Sequence, residues 1–372
     1  MTDASRSLTA APIRLAPNRV DRFYRGGALL ERFRGIEAPR DSTRPEDWVG
    51  SVTQAYGSPP DTGISLAADG ESLAELVRRD PRGMLGEEAA ARNATTTGIL
   101  VKLLDSAVRL PVHCHPTRDF AAAVLGSPFG KAEAWIVLAT REIAGEPPPH
   151  VGIGFRDGVS GTELRRWIDE QDIDAMLAAL DRVEVAAGDV VFVPPGRPHA
   201  IGAGVFMVEV QEPTDFSIVT ETRDVPIAPE DAHLGLGWDR MIEAVDHTPL
   251  PGGIAALRRQ AASRGSGRTL GRTDLLPQEA APYFRAERIE VRGREAYPLS
   301  GGCSILVVVS GSGALFSPLA VEPMSRGTTV FVPAAAAPAL EIEGNELEVI
   351  ACRPPRPELL PRPLRDGRAR PS

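Results

Sequence analysis

Short runs of apolar residues closed by glycine, proline or polar clusters recur along the chain, among them "EAWIVLAT" (133–140), "GDVVFVP" (188–194), "CSILVVVS" (303–310), "GTTVFVP" (327–333) and "LEVIAC" (347–352). Their length and β-branched content predict strands rather than helices. Residues 98–116, "GILVKLLDSAVRLPVHCHP", read as two β segments joined by a polar turn at Asp105–Ser106. Helical spacing holds over about 72–93, with a break at Pro81, and over about 160–183. In the second of these Leu164, Trp167, Ile168, Met176, Leu177 and Leu180 share a face, and Thr162 is a candidate N-cap. Residues 1–20 read as a loose arm, and 248–282 as a linker with some helix.

"GDVVFVP" and "GTTVFVP" form an internal repeat, but the first continues "PGRPHAI" and the second "AAAAPAL". No histidine occurs after His247. These features predict a mainly β protein of two related barrels, the first bearing a site and the second without one. The expected boundaries are 1–247 for a metal-binding catalytic domain carrying both helical insertions, 248–282 for the linker, 283–356 for the histidine-free barrel and 357–372 for a flexible Pro/Arg-rich tail.

With 372 residues the chain can bury more than one core. A net charge of −9 argues against a general nucleic-acid grip, and no apolar run approaches the length of a membrane span. Cys114, Cys303 and Cys352 make neither a disulfide framework nor a CxxC pair. The first twenty residues lack a signal-peptide core, so the expected location is the cytoplasm. Of 41 basic residues only Lys102 and Lys131 are lysines. Arginine replaces lysine nearly everywhere except within 16 residues of one histidine pair, and it cannot replace an amine that must lose a proton. Both lysines are therefore candidate site residues, Lys131 foremost.

That pair is His113 and His115, two residues apart on a predicted strand and so on one face of it, with Cys114 on the other. Glu133 follows, then His199 in "PPGRPHA", where Pro194 and Gly196 shape a sharp loop. Each alone would be an ordinary polar residue of a strand or turn; together, three imidazoles and a carboxylate suit a borderline divalent metal. His150, His233 and His247 lack comparable partners and are taken as surface or structural residues. The glycine-rich "VGIGFRDG" and "SGSGAL" do not open helices and are not read as nucleotide loops.

The H-x-H…E and G-x5-P-x-G-x2-H patterns resemble the paired motifs of the cupin superfamily. More closely, "ILVKLLDSAVRLPVHCHP", "GKAEAWIVL" and "PPGRPHAIGAGVFMVEVQEPTD" resemble segments of the type I mannose-6-phosphate isomerases, with "RGG" and "EDW" fitting more weakly. The resemblance implies two cupin-type jelly-roll β-barrels with α-helical insertions. It also implies one divalent ion, zinc first with Mn2+ or Fe2+ as alternatives, held by His113, His115, Glu133 and His199; His113 stands where the family has glutamine. Lys102 and Lys131 fall on the family's site lysines. The implied activity is metal-dependent aldose–ketose isomerisation of mannose 6-phosphate and fructose 6-phosphate or a related sugar, with a small-molecule sugar or sugar phosphate as partner. Two positions depart: Pro111 replaces a serine associated with the phosphate, and Val219 aligns with an arginine, the nearest candidate being Arg223. Specificity is therefore expected to move away from ordinary mannose 6-phosphate. A cupin-type metal oxygenase or sugar epimerase, and a sugar-binding protein without turnover, stand as alternative readings.

Overall fold

The computed structural model describes residues 9–260 and 269–364. They form three antiparallel sheets with short helices between and beside them, a mainly β, cupin-like architecture. The first sheet runs, edge to edge, Arg258–Gln260, Asp189–Val193, Glu133–Thr140, Val205–Gln211, Leu100–Ser106, Glu46–Val49 and Arg19–Val20. The second runs Ile218–Val219, His113–Cys114, His199–Ile201, His150–Phe155 and Leu180–Glu184. The third carries Ile13–Arg14, Thr329–Val332, Ser304–Phe316, Glu341–Arg353, Arg285–Ala296 and Leu270–Asp274 in that order, with Val321–Ser325 paired to Ser304–Phe316.

Alternation along the strands sets the layers. Trp135, Val137, Val191, Val193, Val205 and Met207 of the first sheet share one core with Val151, Ile153 and Ile201 of the second. These two sheets therefore face each other, and their inner surfaces enclose the site. The opposite face of the first sheet, with Ala134, Ile136, Val190 and Val208, packs on Ile305, Val307, Phe331 and Ile350 of the third sheet. The outer face of the second sheet, including Cys114, is covered by Leu164, Trp167, Ile168 and Met176 of the predicted helical insertion. Cys114 thus packs behind its strand, as the period of two requires.

Several local expectations change. The helical stretch over 72–93 is three short helices, Leu73–Arg79, Pro81–Leu85 and Glu87–Arg92. Asp80 ends one and caps the next, its carboxylate accepting from Gly83 N ahead of the proline-initiated turn. The later insertion divides into Gly161–Glu170 and Ile173–Ala179; its cap is Ser160, which accepts from Glu163 N, rather than Thr162. Asp105 and Ser106 do not make a turn. They finish the Leu100–Ser106 strand in full burial, where Asp105 accepts from Gly27 N, Leu29 N and Leu30 N.

Segments read as arm, linker and tail also take up structure. Ile13–Arg14 pairs with Thr329–Val332, Arg258–Gln260 with Asp189–Val193, and Leu270–Asp274 with Arg285–Ala296. Leu360 is buried and its carbonyl accepts from Arg92 Nε. The remainder of the linker, 261–268, and of the tail, 365–372, lies outside the described residues. Among the described residues no helix is long and apolar enough to cross a membrane.

Candidate metal centre and its pocket

The two facing sheets bring His113, His115, Glu133 and His199 together. His199 lies opposite His113 in the second sheet's register, and His115 follows the same strand by two residues. The ligand nitrogens of the three histidines lie within 4.8 Å of one another. Glu133 enters from the first sheet on the same inner face as Trp135, its Oε1 2.9 Å from His115 Nε2 and its Oε2 3.8 Å from His199 Nε2. Gly196, in the left-handed region at φ 86°, donates its N–H to the His115 carbonyl and so ties the loop before His199 to the histidine strand.

Each imidazole is oriented by a backbone carbonyl: His113 Nδ1 contacts Pro111 O, His115 Nδ1 contacts Phe216 O and His199 Nδ1 contacts Arg197 O, all at 2.8 Å. A carbonyl can only accept, so Nδ1 carries the proton in each ring and Nε2 keeps its lone pair. Burial, reinforced by Lys131, pushes the His115 imidazolium down to about 3, so no second proton resides there at neutral pH. Burial likewise lowers His113 and His199. His115 Nε2 and Glu133 Oε1 are then two acceptors 2.9 Å apart, and the Nε2 atoms of His115 and His199 are buried without hydrogen-bond partners. A divalent cation resolves that arrangement, with each ligating ring held through its other nitrogen. The donor set fits a metal such as zinc.

Beside this group the first sheet lays charged residues across its inner face. Trp48, Lys102, Glu209 and Trp135 are directly opposed on four adjacent strands. Lys102 Nζ is 3.7 Å from Glu46 Oε2, 3.8 Å from Glu209 Oε2 and 5.1 Å from the centre of the Trp48 ring. Lys131 Nζ is 3.5 Å from Glu133 Oε1 and 3.5 Å from Ser217 Oγ. The two lysines are pushed apart electrostatically. Burial and then Lys102 lower Lys131, whereas Glu209 and Glu46 overcome the cost of burial and raise Lys102. Glu209 is shifted the other way: burial and then the Glu133 charge hold its carboxyl well above the usual range. Such divergence between neighbouring titratable groups is a feature of proton-transfer sites.

Arg22, Phe23, Tyr24, Leu104, Leu110, Pro111, Ile201 and Val219 complete the lining of this pocket. Arg223 does not join it; its side chain is exposed and its backbone N–H donates to Gln171 Oε1. Sequence reading missed Glu46, Glu209, Asp215 and Arg22. A signal existed for Glu209, the one charged residue in the fully buried strand Val205–Gln211, where only a partnered or functional carboxylate is tolerated.

No family model matches the chain. Among curated proteins it is 25% identical over 329 residues to the mannose-6-phosphate isomerase ManA of Bacillus subtilis, covering 88% of this chain and 94% of that one. It is 30% identical over 210 residues to the mannose-6-phosphate isomerase of Streptococcus mutans, covering 55% and 59% respectively. The crystal structure of the mannose 6-phosphate isomerase from Bacillus subtilis superposes with a TM-score of 0.69 at 22% identity, over 92% of this chain and 99% of that one. A mannose 6-phosphate isomerase bound with zinc and yttrium superposes with a TM-score of 0.67 at 15% identity, over 92% of this chain and 100% of that one. Along most of its length this chain is similar in sequence to mannose-6-phosphate isomerases, and it shares the fold of their solved structures.

Proposed function

We propose that the protein is a metal-dependent aldose–ketose isomerase acting on a six-carbon sugar of the mannose–fructose type, with one divalent ion, zinc first, held by His113, His115, Glu133 and His199. The supporting observation is one pocket in which His113, His115 and Glu133 of this ligand set adjoin Lys131, Lys102 and Glu209, in a chain similar to mannose-6-phosphate isomerases over 88% of its length. When bound, the metal supplies Lewis-acid stabilisation of oxygens that gain charge. The protein's own residues supply the rest. Interconverting an aldose and a ketose moves a proton between C1 and C2 and a second between their oxygens, and Lys131 and Glu209 flank the ligand carboxylate as the groups that can exchange protons there. Lys102, pinned between Glu46 and Glu209, keeps its charge and offsets the anionic character of the intermediate. The apolar lining of Phe23, Leu104, Leu110, Ile201 and Val219 limits water at the reacting carbons.

The test is turnover by metal-loaded protein of mannose and fructose, each free and as the 6-phosphate, with solvent deuterium followed into C1 and C2. Interconversion with deuterium uptake is expected. Absence of turnover on all four sugars would overturn the reading in favour of a binding protein. Oxygen consumption with a redox-active metal, or inversion at a single carbon, would favour the oxygenase or epimerase alternative.

A further inference from the structure

Arg22 is the pocket's single lining arginine among the described residues, and nothing in the proposed proton transfer uses it. Its side chain is 16% exposed. Asp215 Oδ2 takes Nη1 at 3.2 Å, and Glu46 Oε1 lies 3.3 Å from Nε. That second contact is a charge contact only, because Nε is buried without a hydrogen-bond partner. No contact among the described residues engages Nη2. Both carboxylates are committed elsewhere as well: Glu46 accepts from Tyr24 Oη and Trp48 Nε1, both at 2.7 Å, and Asp215 accepts from Tyr56 N at 3.1 Å. Two rigidly held anions therefore hold the guanidinium at Nε and at Nη1.

On the opposite wall, Val219 pairs with His113 and presents a branched alkyl group to the same pocket. That wall offers no cation at this position. A planar guanidinium anchored at two of its nitrogens with a terminal nitrogen left over is suited to oxygens that acquire negative charge.

We propose that Arg22 contacts the substrate, its Nη2 donating to a sugar oxygen that becomes anionic in the intermediate. This rests on the isomerase reading for its catalytic meaning, but not for its binding meaning. The alternative is purely structural, Arg22 serving only to neutralise Glu46 and Asp215.

The experiment compares wild type with Arg22→Gln, Arg22→Lys and the double variant Arg22→Gln/Val219→Arg, all zinc-loaded. Turnover is measured alongside calorimetric binding of D-arabinonate, a sugar acid whose carboxylate places charge on the terminal carbon. Arg22→Gln is expected to lower kcat about a hundredfold and weaken arabinonate binding tenfold or more, with zinc content unchanged. Added guanidinium ion, or arginine supplied from position 219, should recover part of both. Arg22→Lys preserves the charge balance without the fork and should remain impaired. Arabinonate affinity within threefold of wild type in Arg22→Gln, or full recovery by Arg22→Lys, would overturn the proposal. If wild type turns over none of the sugars, the isomerase reading fails and the arabinonate comparison alone decides Arg22. If Arg22→Gln does not fold, the fold of Arg22→Lys and its arabinonate affinity decide in its place.

Discussion

Replacing His199 with alanine tests the metal centre most directly. Its Nε2 is buried, lacks a hydrogen-bond partner, and lies 3.8 Å from Glu133 Oε2. Without a cation, the comparable nitrogens of His115 and His199 are buried acceptors left unsatisfied, each costing about 1–3 kcal/mol. Zinc removes that cost in the native state only, so it should stabilise the protein by about 4 kcal/mol when free zinc is roughly a thousandfold above its dissociation constant. Losing an orienting partner of a ligand already costs about 10–100-fold in affinity, so losing a ligand should cost at least about a hundredfold. A hundredfold loss removes about 2.7 kcal/mol of the zinc-linked stability at the same free zinc. Chains of about 150–250 residues shift by roughly 2–4 °C per kcal/mol, and a longer chain by somewhat less. Wild type should therefore melt several degrees higher with zinc than with chelator, and His199→Ala should keep only about a third of that difference. Thermal melts would be paired with elemental analysis after dialysis. A full equivalent of metal and an undiminished zinc shift in both His199→Ala and His115→Ala would refute the assignment.

Lys131→Arg keeps the charge but not an amine able to lose a proton, and should lower turnover by about a hundredfold or more with metal content unchanged; near-normal turnover would make the pairing of the two lysines with the site incidental. Asp215 is held at about 2 because Arg22 and then Lys102 outweigh the opposing effect of burial. Its folded value lies below the unfolded one, so its contribution of about 2 kcal/mol is fully present above pH ~4 and fades as pH falls through about 2; urea unfolding of Asp215→Asn should show that deficit at pH 7 and little of it near pH 2, and an equal deficit at both would refute it. With Pro111 and Val219 lining the pocket, kcat/KM for free mannose or fructose should lie within about tenfold of that for its 6-phosphate, since neither side chain donates to a phosphate. A preference above a thousandfold for the phosphorylated sugar would show that a phosphate clamp exists elsewhere.

The ligand group was readable because its chemistry is local. H-x-H fixes two imidazoles on one strand face whatever the surroundings, and the P-x-G loop announces a turn that can aim a third. The lysines stood out because arginine had displaced lysine everywhere else, leaving two positions where an amine is retained. Arg223, the nearest arginine to the aligned position, falls outside the pocket for the opposite reason: the same face of a strand four residues on is not the same place in space. The register turns Val219 toward the pocket and leaves Arg223 exposed beyond the strand's end. Arg22, 197 positions from Val219 along the chain, lines the same pocket.

The sequence by itself determined the β character, the helical insertions and the types of the candidate metal ligands, because these follow from periodicities of two or 3.6 residues and from side-chain chemistry. Tertiary structure decided the neighbours. The row Trp48–Lys102–Glu209–Trp135 exists only because four strands distant in sequence are held in one register, and the Glu209 carboxyl is held well above its usual range by burial and then by the Glu133 charge beside it. The Ile13–Arg14, Arg258–Gln260 and Leu270–Asp274 strands were likewise invisible, since two to five residues carry too little pattern and owe their conformation to the sheet edges they complete. Strand pairing is a contact between distant segments, and charge burial depends on what those contacts exclude. Neither is a property of any stretch of chain taken alone.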